Sequence, residues 1–269
     1  MSSIHPSAII SKNAQLATDV VIGPNCVIGD GVSVNSGSIL YANVVIDGNV
    51  EIGKNNLFFP NCVIGCRPQV LVLASDAKIG GLVIGDGNTF REYVTIHPSM
   101  HPDKFTRIGN ENLIMVSSHV GHDCLLEDKI VMSNCVHIGG HCRIETGVWM
   151  SGIVGLHQFV TMGRWSYAAG LAGINRDIPP FLIVSGHYPP RIRGVNKRGL
   201  QRAGLTDQQQ QHIFEAYRNL YRQGGTLLQN AKTLVQQDGL DENVRAMIDA
   251  IIRSSEHQFG RYLETFREH

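Results

Sequence analysis

A chain of 269 residues, 43% of them hydrophobic and 17% charged, has the make-up of a soluble globular protein with a large core, and is not disordered. Its 23 basic and 23 acidic residues cancel, which removes any general electrostatic case for nucleic acid or a membrane surface as partner. The opening MSSIHPSAII lacks the basic-then-apolar run of a secretion signal, no apolar run approaches a membrane span, and six cysteines without a CxxC pair read as reduced thiols, so a cytoplasmic protein with no integral membrane segment is expected.

From Ile4 an apolar residue recurs at every sixth position through Ile64: Ile10, Leu16, Ile22, Ile28, Val34, Leu40, Ile46, Ile52 and Phe58 fill the series between. The series breaks at an insertion over 70–83, resumes at Ile84, Phe90 and Ile96, pauses over HPDKFTR, and runs from Ile108 to Ile174. Four residues after the apolar position usually stands a small or β-branched one, such as Ala8, Cys26, Val44, Cys62, Ser118, Cys124 or Cys142. A hexad is too short for a strand and a helix, so each must be a short strand and a turn, with glycine tolerating backbone angles other residues avoid. Stacked units of this kind form a parallel β-helix. Cys26, Cys62, Cys124 and Cys142 then fall in the small inward slot, where free cysteine packs as a hydrophobe.

This pattern resembles the hexapeptide-repeat family, which implies a left-handed parallel β-helix with three hexads per coil. After Pro179-Pro180 the hexads stop. LTDQQQQHIFEAYRNLYRQGG offers Thr206-Asp207 as a cap, Ile213, Tyr217, Leu220 and Tyr221 on one helical face, and Gly224-Gly225 as a stop. TLLQNAKTLVQQDG, DENVRAMIDAIIRSS and EHQFGRYLETFREH read as three further helices. The expected class is mainly β, a left-handed β-helix domain over 1–188 followed by a C-terminal α-helical domain over 189–269.

Residues 117–142, SSHVGHDCLLEDKIVMSNCVHIGGHC, gather His119, His122, His137 and His141. If a coil is eighteen residues, positions eighteen apart lie above one another, about 4.8 Å apart. His119 then stacks on His137, His122 on Gly140 and Asp123 on His141, with His157 one coil beyond Gly139. The patch holds what acyl transfer needs: a histidine with a carboxylate to orient it, other histidines as donors, and glycine amides free to face an oxyanion. The lone histidines His5, His101, His187, His212, His257 and His269 read as solvated surface groups.

His122-Asp123 in HVGHDC, His141 in GGHCRI, His157-Gln158-Phe159 in GLHQF, the DIPPF turn at 177–181 and the C-terminal helices together resemble the UDP-N-acetylglucosamine O-acyltransferase family, which opens lipid A biosynthesis. The resemblance implies that His122 is the general base for a sugar 3-hydroxyl attacking a 3-hydroxyacyl thioester on acyl carrier protein, with Asp123 orienting it and the Gly140 amide holding the oxyanion. It further implies substrate contacts at His97, His119, His141, His157, Gln158, Asn196 and Arg202, an acyl groove past Gly152 and Gly170, no metal and no cofactor beyond the phosphopantetheine thioester of the donor, and a homotrimer with sites between chains. His137 has no assigned role. The basic residues Arg191, Arg193, Lys197, Arg198 and Arg202 are either a solvated face or a dock for acidic acyl carrier protein. The chain departs from the family at the acceptor side: Val70 stands where an aspartate is usual, Val72 replaces a lysine, Arg198 a glutamate, and Ala203 the second of two arginines. The acceptor that the resemblance implies is therefore UDP-N-acetylglucosamine or a related sugar nucleotide. Competing readings are a zinc enzyme of the γ-carbonic-anhydrase kind, using His119, His137 and His141, a coenzyme A-dependent sugar acyltransferase, and a non-catalytic scaffold.

Overall fold

The computed structural model describes residues 3–71, 73–74 and 76–267; Val72 and His269, singled out above, lie outside the described residues. Its strands are mostly two residues long, and successive strands fall on three different sheets of eleven, nine and eight strands. The result is the expected left-handed parallel β-helix, triangular in section, closed by C-terminal helices. Strands pair in parallel at the eighteen-residue offset, as in Val21↔Ile39, Val27↔Val45 and His119↔His137.

The corners explain how so short a strand can turn. One corner column carries left-handed backbone at Asn25, Asn43, Asn61, Tyr93, Ser117, Cys135, Ile153 and Leu171, one residue per coil. Asparagine tolerates that conformation better than most residues, but Ile153 and Leu171 do not adopt it without cost. The stacked coils on either side hold them there. Inside, the hexad residues from Ile22 to Ile174 form one continuous core, with Phe58 and Phe90 stacked at 4.8 Å between ring centres. A ladder of buried asparagines runs up one corner, each carbonyl oxygen accepting the backbone N–H of the next coil: Asn56 from Asn88, Asn88 from Asn112, and Asn112 from Ile130. Cys26, Cys62, Cys124 and Cys142 are buried as expected, and burial pushes the Cys62 thiol up to about 12. These four are packing groups.

The two interruptions sit differently from the sequence reading. Gly81–Ile84 and Phe105–Ile108 are strands, so the first excursion ends at Gly80 and the second at Lys104. Ile52 pairs with Ile84, and Ile84 with Ile108, at offsets of 32 and 24 residues in place of 18. Period counting tracks only the apolar position of each hexad, so it places the return to the coil too late.

At the far end Leu182–Ser185 continues the first face beside Tyr167–Ala168 and turns back antiparallel to Arg191–Val195. Four helices follow: α1 (Lys197–Arg202), α2 (Asp207–Tyr221), α3 (Leu227–Leu234) and α4 (Glu242–Ser254). Thr206 with Gln209, and Thr226 with Gln229, form capping boxes at the starts of α2 and α3. Ile213, Leu220, Leu234, Met247 and Ile251 pack with Phe181 and Leu182 from the end of the β-helix. Helix α1 went unrecognised in the sequence because it is only six residues long. The expected helix in EHQFGRYLETFREH is a correction: only a 3-10 turn, Tyr262–Phe266, forms there. Gly260 is left-handed at φ +66° and Arg261 extended, while buried Arg261 donates to the Asn175 carbonyl at 2.7 Å and pairs with Glu264. That anchor holds the segment against the β-helix end. Among the described residues no helix is long and apolar enough to cross a membrane.

Candidate active site

His122 and Asp123 lie at the corner between the second face, after His119–Val120, and the third, before Leu125–Leu126. Asp123, His141 and Phe159 all turn this corner in left-handed backbone, one above the other. The Asp123 amide donates to Thr106 Oγ1 at 2.8 Å, which fixes the turn from inside. His122 Nδ1 lies 2.7 Å from Asp123 Oδ2; Ser99 Oγ donates to the other carboxylate oxygen, and the Met100 amide donates to Oδ2 at 3.3 Å. Burial raises the carboxyl's pKa, yet the hydrogen bonds from His122, Ser99 and Met100 outweigh it and hold Asp123 at about 2. An ionised carboxylate only accepts, so His122 Nδ1 carries the proton and Nε2 presents its lone pair.

That lone pair faces Gly140 in the next coil. A Cβ at Gly140 would stand 2.7 Å from both Nε2 and Cε1 of His122, so only glycine leaves the base uncovered. The amides on either side are spent on the ladder, Gly139 to Leu156 O and His141 to His122 O, whereas no acceptor among the described residues takes the Gly140 N–H. His141 packs edge-on to His122 at 4.9 Å and flat on Phe159 at 4.5 Å. Burial, with His122, His101 and Lys104 nearby, holds His141 at about 4 although Asp123 pulls the other way, so it is a neutral imidazole near pH 7.

The second face adds a row of imidazoles. His119, half-buried, bonds Thr95 Oγ1 at 2.8 Å and is pushed down to about 4 by burial and then by His97, His137 and His122. His97 is buried, its ring 5.3 Å from that of His119. Its Nδ1 donates to the Cys66 carbonyl at 2.8 Å, leaving Nε2 as an acceptor that is buried and has no partner among the described residues. A buried unsatisfied nitrogen costs about 1–3 kcal/mol, and a bound hydroxyl or amide would recover it. His119, His137 and His157 line a cavity of about 350 Å³ with Gly155, Gly173 and Tyr188. Gln158 lies against Gly139, whose added Cβ would meet the Gln158 backbone nitrogen at 2.9 Å.

The remaining expected residues lie elsewhere on the chain. Gly152 and Gly170 stack at the corner between the first and second faces beside exposed Ile153 and Leu171, with no atom closer than 3.4 Å to an added Cβ. Asn196 and Arg202 border a cavity of about 640 Å³ on the first face, lined also by Trp149, Tyr167, Lys197 and Arg198. Arg202 lies over both Trp149 and Trp165, at 4.9 and 5.4 Å from the ring centres. The Asn196 side chain caps α1, accepting from Gly199 N at 3.1 Å and donating to Trp165 O at 2.8 Å. One chain therefore does not bring the base, the groove glycines and the basic cavity into a single cleft.

The sequence reading missed Ser99 and Thr106, and it set His101 aside as a surface group although its ring lies 6.1 Å from that of His141. All three lie on the coil below Asp123, reached through the second excursion; counting 24 in place of 18 puts Ser99 beneath Asp123. The zinc reading needs His119, His137 and His141 to converge, and within one chain they do not. His137 instead stacks 6.4 Å from His119 on the flat face, while His141 turns the corner against Asp123 and Phe159.

Residues 177–259 match the family model described as UDP N-acetylglucosamine O-acyltransferase, domain 2, and residues 1–36 match that of bacterial transferase hexapeptide repeats. A Paraburkholderia phymatum protein named acyl-[acyl-carrier-protein]–UDP-N-acetylglucosamine O-acyltransferase is 39% identical, over 94% of this chain and 98% of its own. A Gloeothece citriformis protein of the same name is 42% identical over 64% of this chain, and the chain spans 61% of that relative's length. The structure of Francisella novicida UDP-N-acetylglucosamine acyltransferase superposes with a TM-score of 0.87 at 33% identity, over 92% of this chain and 90% of that one.

Proposed function

The chain belongs to the UDP-N-acetylglucosamine O-acyltransferase family, and we propose that it moves a 3-hydroxyacyl chain from its acyl-carrier-protein thioester to the 3-hydroxyl of UDP-N-acetylglucosamine or a related sugar nucleotide. This is the opening step of lipid A biosynthesis, carried out in the cytoplasm. The observation that carries the reading is the His122–Asp123 pair with its open lone pair facing the unspent Gly140 amide. His122 Nε2 takes the proton of the sugar hydroxyl as its oxygen attacks the thioester carbonyl carbon. The carbonyl oxygen becomes an oxyanion, stabilised by the Gly140 N–H. Collapse breaks the carbon–sulfur bond, and the imidazolium returns its proton to the departing thiolate. Asp123 keeps the imidazole in the right tautomer and stabilises its cation. No metal enters these steps.

His97 Nε2, His119, His141, His157 and Gln158 are read as contacts to the acceptor and donor, and Gly152 and Gly170 as the floor of the acyl groove. Because the groove glycines and the basic cavity lie on other sides of the β-helix from His122, a complete site needs a second chain, which supports a homotrimer. Val70, Arg198 and Ala203 make the acceptor's sugar and base the variable element, while Arg198 and Arg202 offer two cations to a diphosphate or to acyl carrier protein.

The decisive experiment is mixed assembly. His122→Ala and Arg202→Ala proteins, each inactive alone with acyl carrier protein thioester and UDP-N-acetylglucosamine, regain activity when co-expressed, because some sites take His122 from one chain and Arg202 from another. Activity of His122→Ala by itself refutes the base, and an absence of rescue refutes the shared site. Turnover of a different amino sugar nucleotide, with none of UDP-N-acetylglucosamine, reassigns the acceptor.

A further inference from the structure

We propose that His101, Asp123 and His141 form a zinc-binding site whose occupation switches the base off. The one ligand atom each residue offers lies within 4.8 Å of the other two, and His141 Nε2 stands 4.0 Å from Asp123 Oδ2. Tetrahedral zinc with nitrogen and oxygen ligands at about 2.1 Å sets ligand atoms roughly 3.4 Å apart. Side-chain movement of about 1 Å closes the site, and His101 sits on the excursion between strands. Two imidazoles and a carboxylate are a zinc donor set with a fourth position left for water.

The consequence for the base follows from the shared oxygen. Asp123 Oδ2 is the atom that accepts the His122 Nδ1–H, and zinc on that oxygen neutralises the carboxylate and draws it from the imidazole. His122 then loses both its orientation and the anion that stabilises its cation. This effect on activity rests on the role proposed for His122; the binding of metal does not.

The test uses metal-stripped full-length protein. Zinc chloride is titrated against a chromogenic zinc indicator, and transferase activity is measured over the same concentrations. Wild type is expected to take up one zinc per chain, to lose activity in parallel, and to regain it with EDTA; magnesium, which favours oxygen ligands, has no such effect. His101→Ala and His101→Gln bind zinc at least tenfold more weakly, and the activity each shows without metal resists inhibition by zinc. Unchanged zinc binding in both variants, or zinc uptake without loss of activity, overturns the proposal. A wild type that transfers no acyl group refutes the function proposed above, while the indicator titration still decides the metal site.

Discussion

Gly140→Ala isolates the geometry around the base from its chemistry, since it removes no functional group. The backbone at Gly140 lies outside the left-handed region, so alanine is conformationally acceptable there. The added Cβ would stand 2.7 Å from Nε2 and Cε1 of His122. Ordinary carbon contacts begin at about 3.5 Å, so the imidazole must retreat by roughly 0.8 Å. It is tethered by the 2.7 Å bond to Asp123, and a retreat of that size stretches the bond to the limit of hydrogen bonding. Losing a hydrogen bond to a charged partner costs about 1.5–3 kcal/mol, which is roughly a ten- to hundredfold loss of rate. The methyl group also fills space the sugar hydroxyl must occupy, so the fall in kcat is expected to exceed a hundredfold. The assay is steady-state transfer from acyl carrier protein thioester to UDP-N-acetylglucosamine, alongside thermal unfolding. A kcat within twofold of wild type, or a loss accounted for by unfolding, refutes the placement of base and amide on facing coils.

Asp123→Asn places an amide beside His122 Nδ1, reverses the favoured tautomer and moves the proton onto Nε2; kcat is expected to fall by about 10³ with substrate KM little changed, and a larger change in KM than in kcat contradicts an orienting role. Phe90→Ala empties a fully buried position stacked on Phe58 and is expected to destabilise the chain by about 3–5 kcal/mol in denaturant titration; less than about 1 kcal/mol argues against a close-packed interior there. Asp177 accepts the amides of Thr161 and Tyr262, but burial outweighs these bonds and raises its carboxyl to about 6. A folded pKa above the unfolded one gives stability that is complete below about pH 4 and lost as pH rises through about 6, up to about 3 kcal/mol from this group. The difference in unfolding midpoint between wild type and Asp177→Asn therefore shifts towards the variant between pH 4.5 and 7.5, and a pH-independent difference contradicts the assignment.

The legible part of the site is the part with an uninterrupted period above it. His119 on His137, His122 against Gly140 and Asp123 under His141 all follow from an offset of eighteen, and the structure shows each. Below Asp123 the period fails, and with it went Ser99, Thr106 and His101. The C-terminal segment departs from its spacing for a local reason: QFGRYLETF has helical spacing, but Gly260 and the buried Arg261 anchor break the backbone, and only the 3-10 turn Tyr262–Phe266 follows.

The repeat was enough on its own to determine the β-helix, its inward cysteines and the corner that carries His122 and Asp123. A six-residue period permits only a strand and a turn, and units that short bury their apolar residues by stacking on one another. Which groups surround Asp123 was decided only by the tertiary structure, because excursions of different length return to the same coil and bring residues 24 apart into contact. The position of Asn196 and Arg202 on another face was likewise a matter of three dimensions, since the hairpin at Leu182–Ser185 and Arg191–Val195 sets where the helices land. Linear spacing carries no information on that angle.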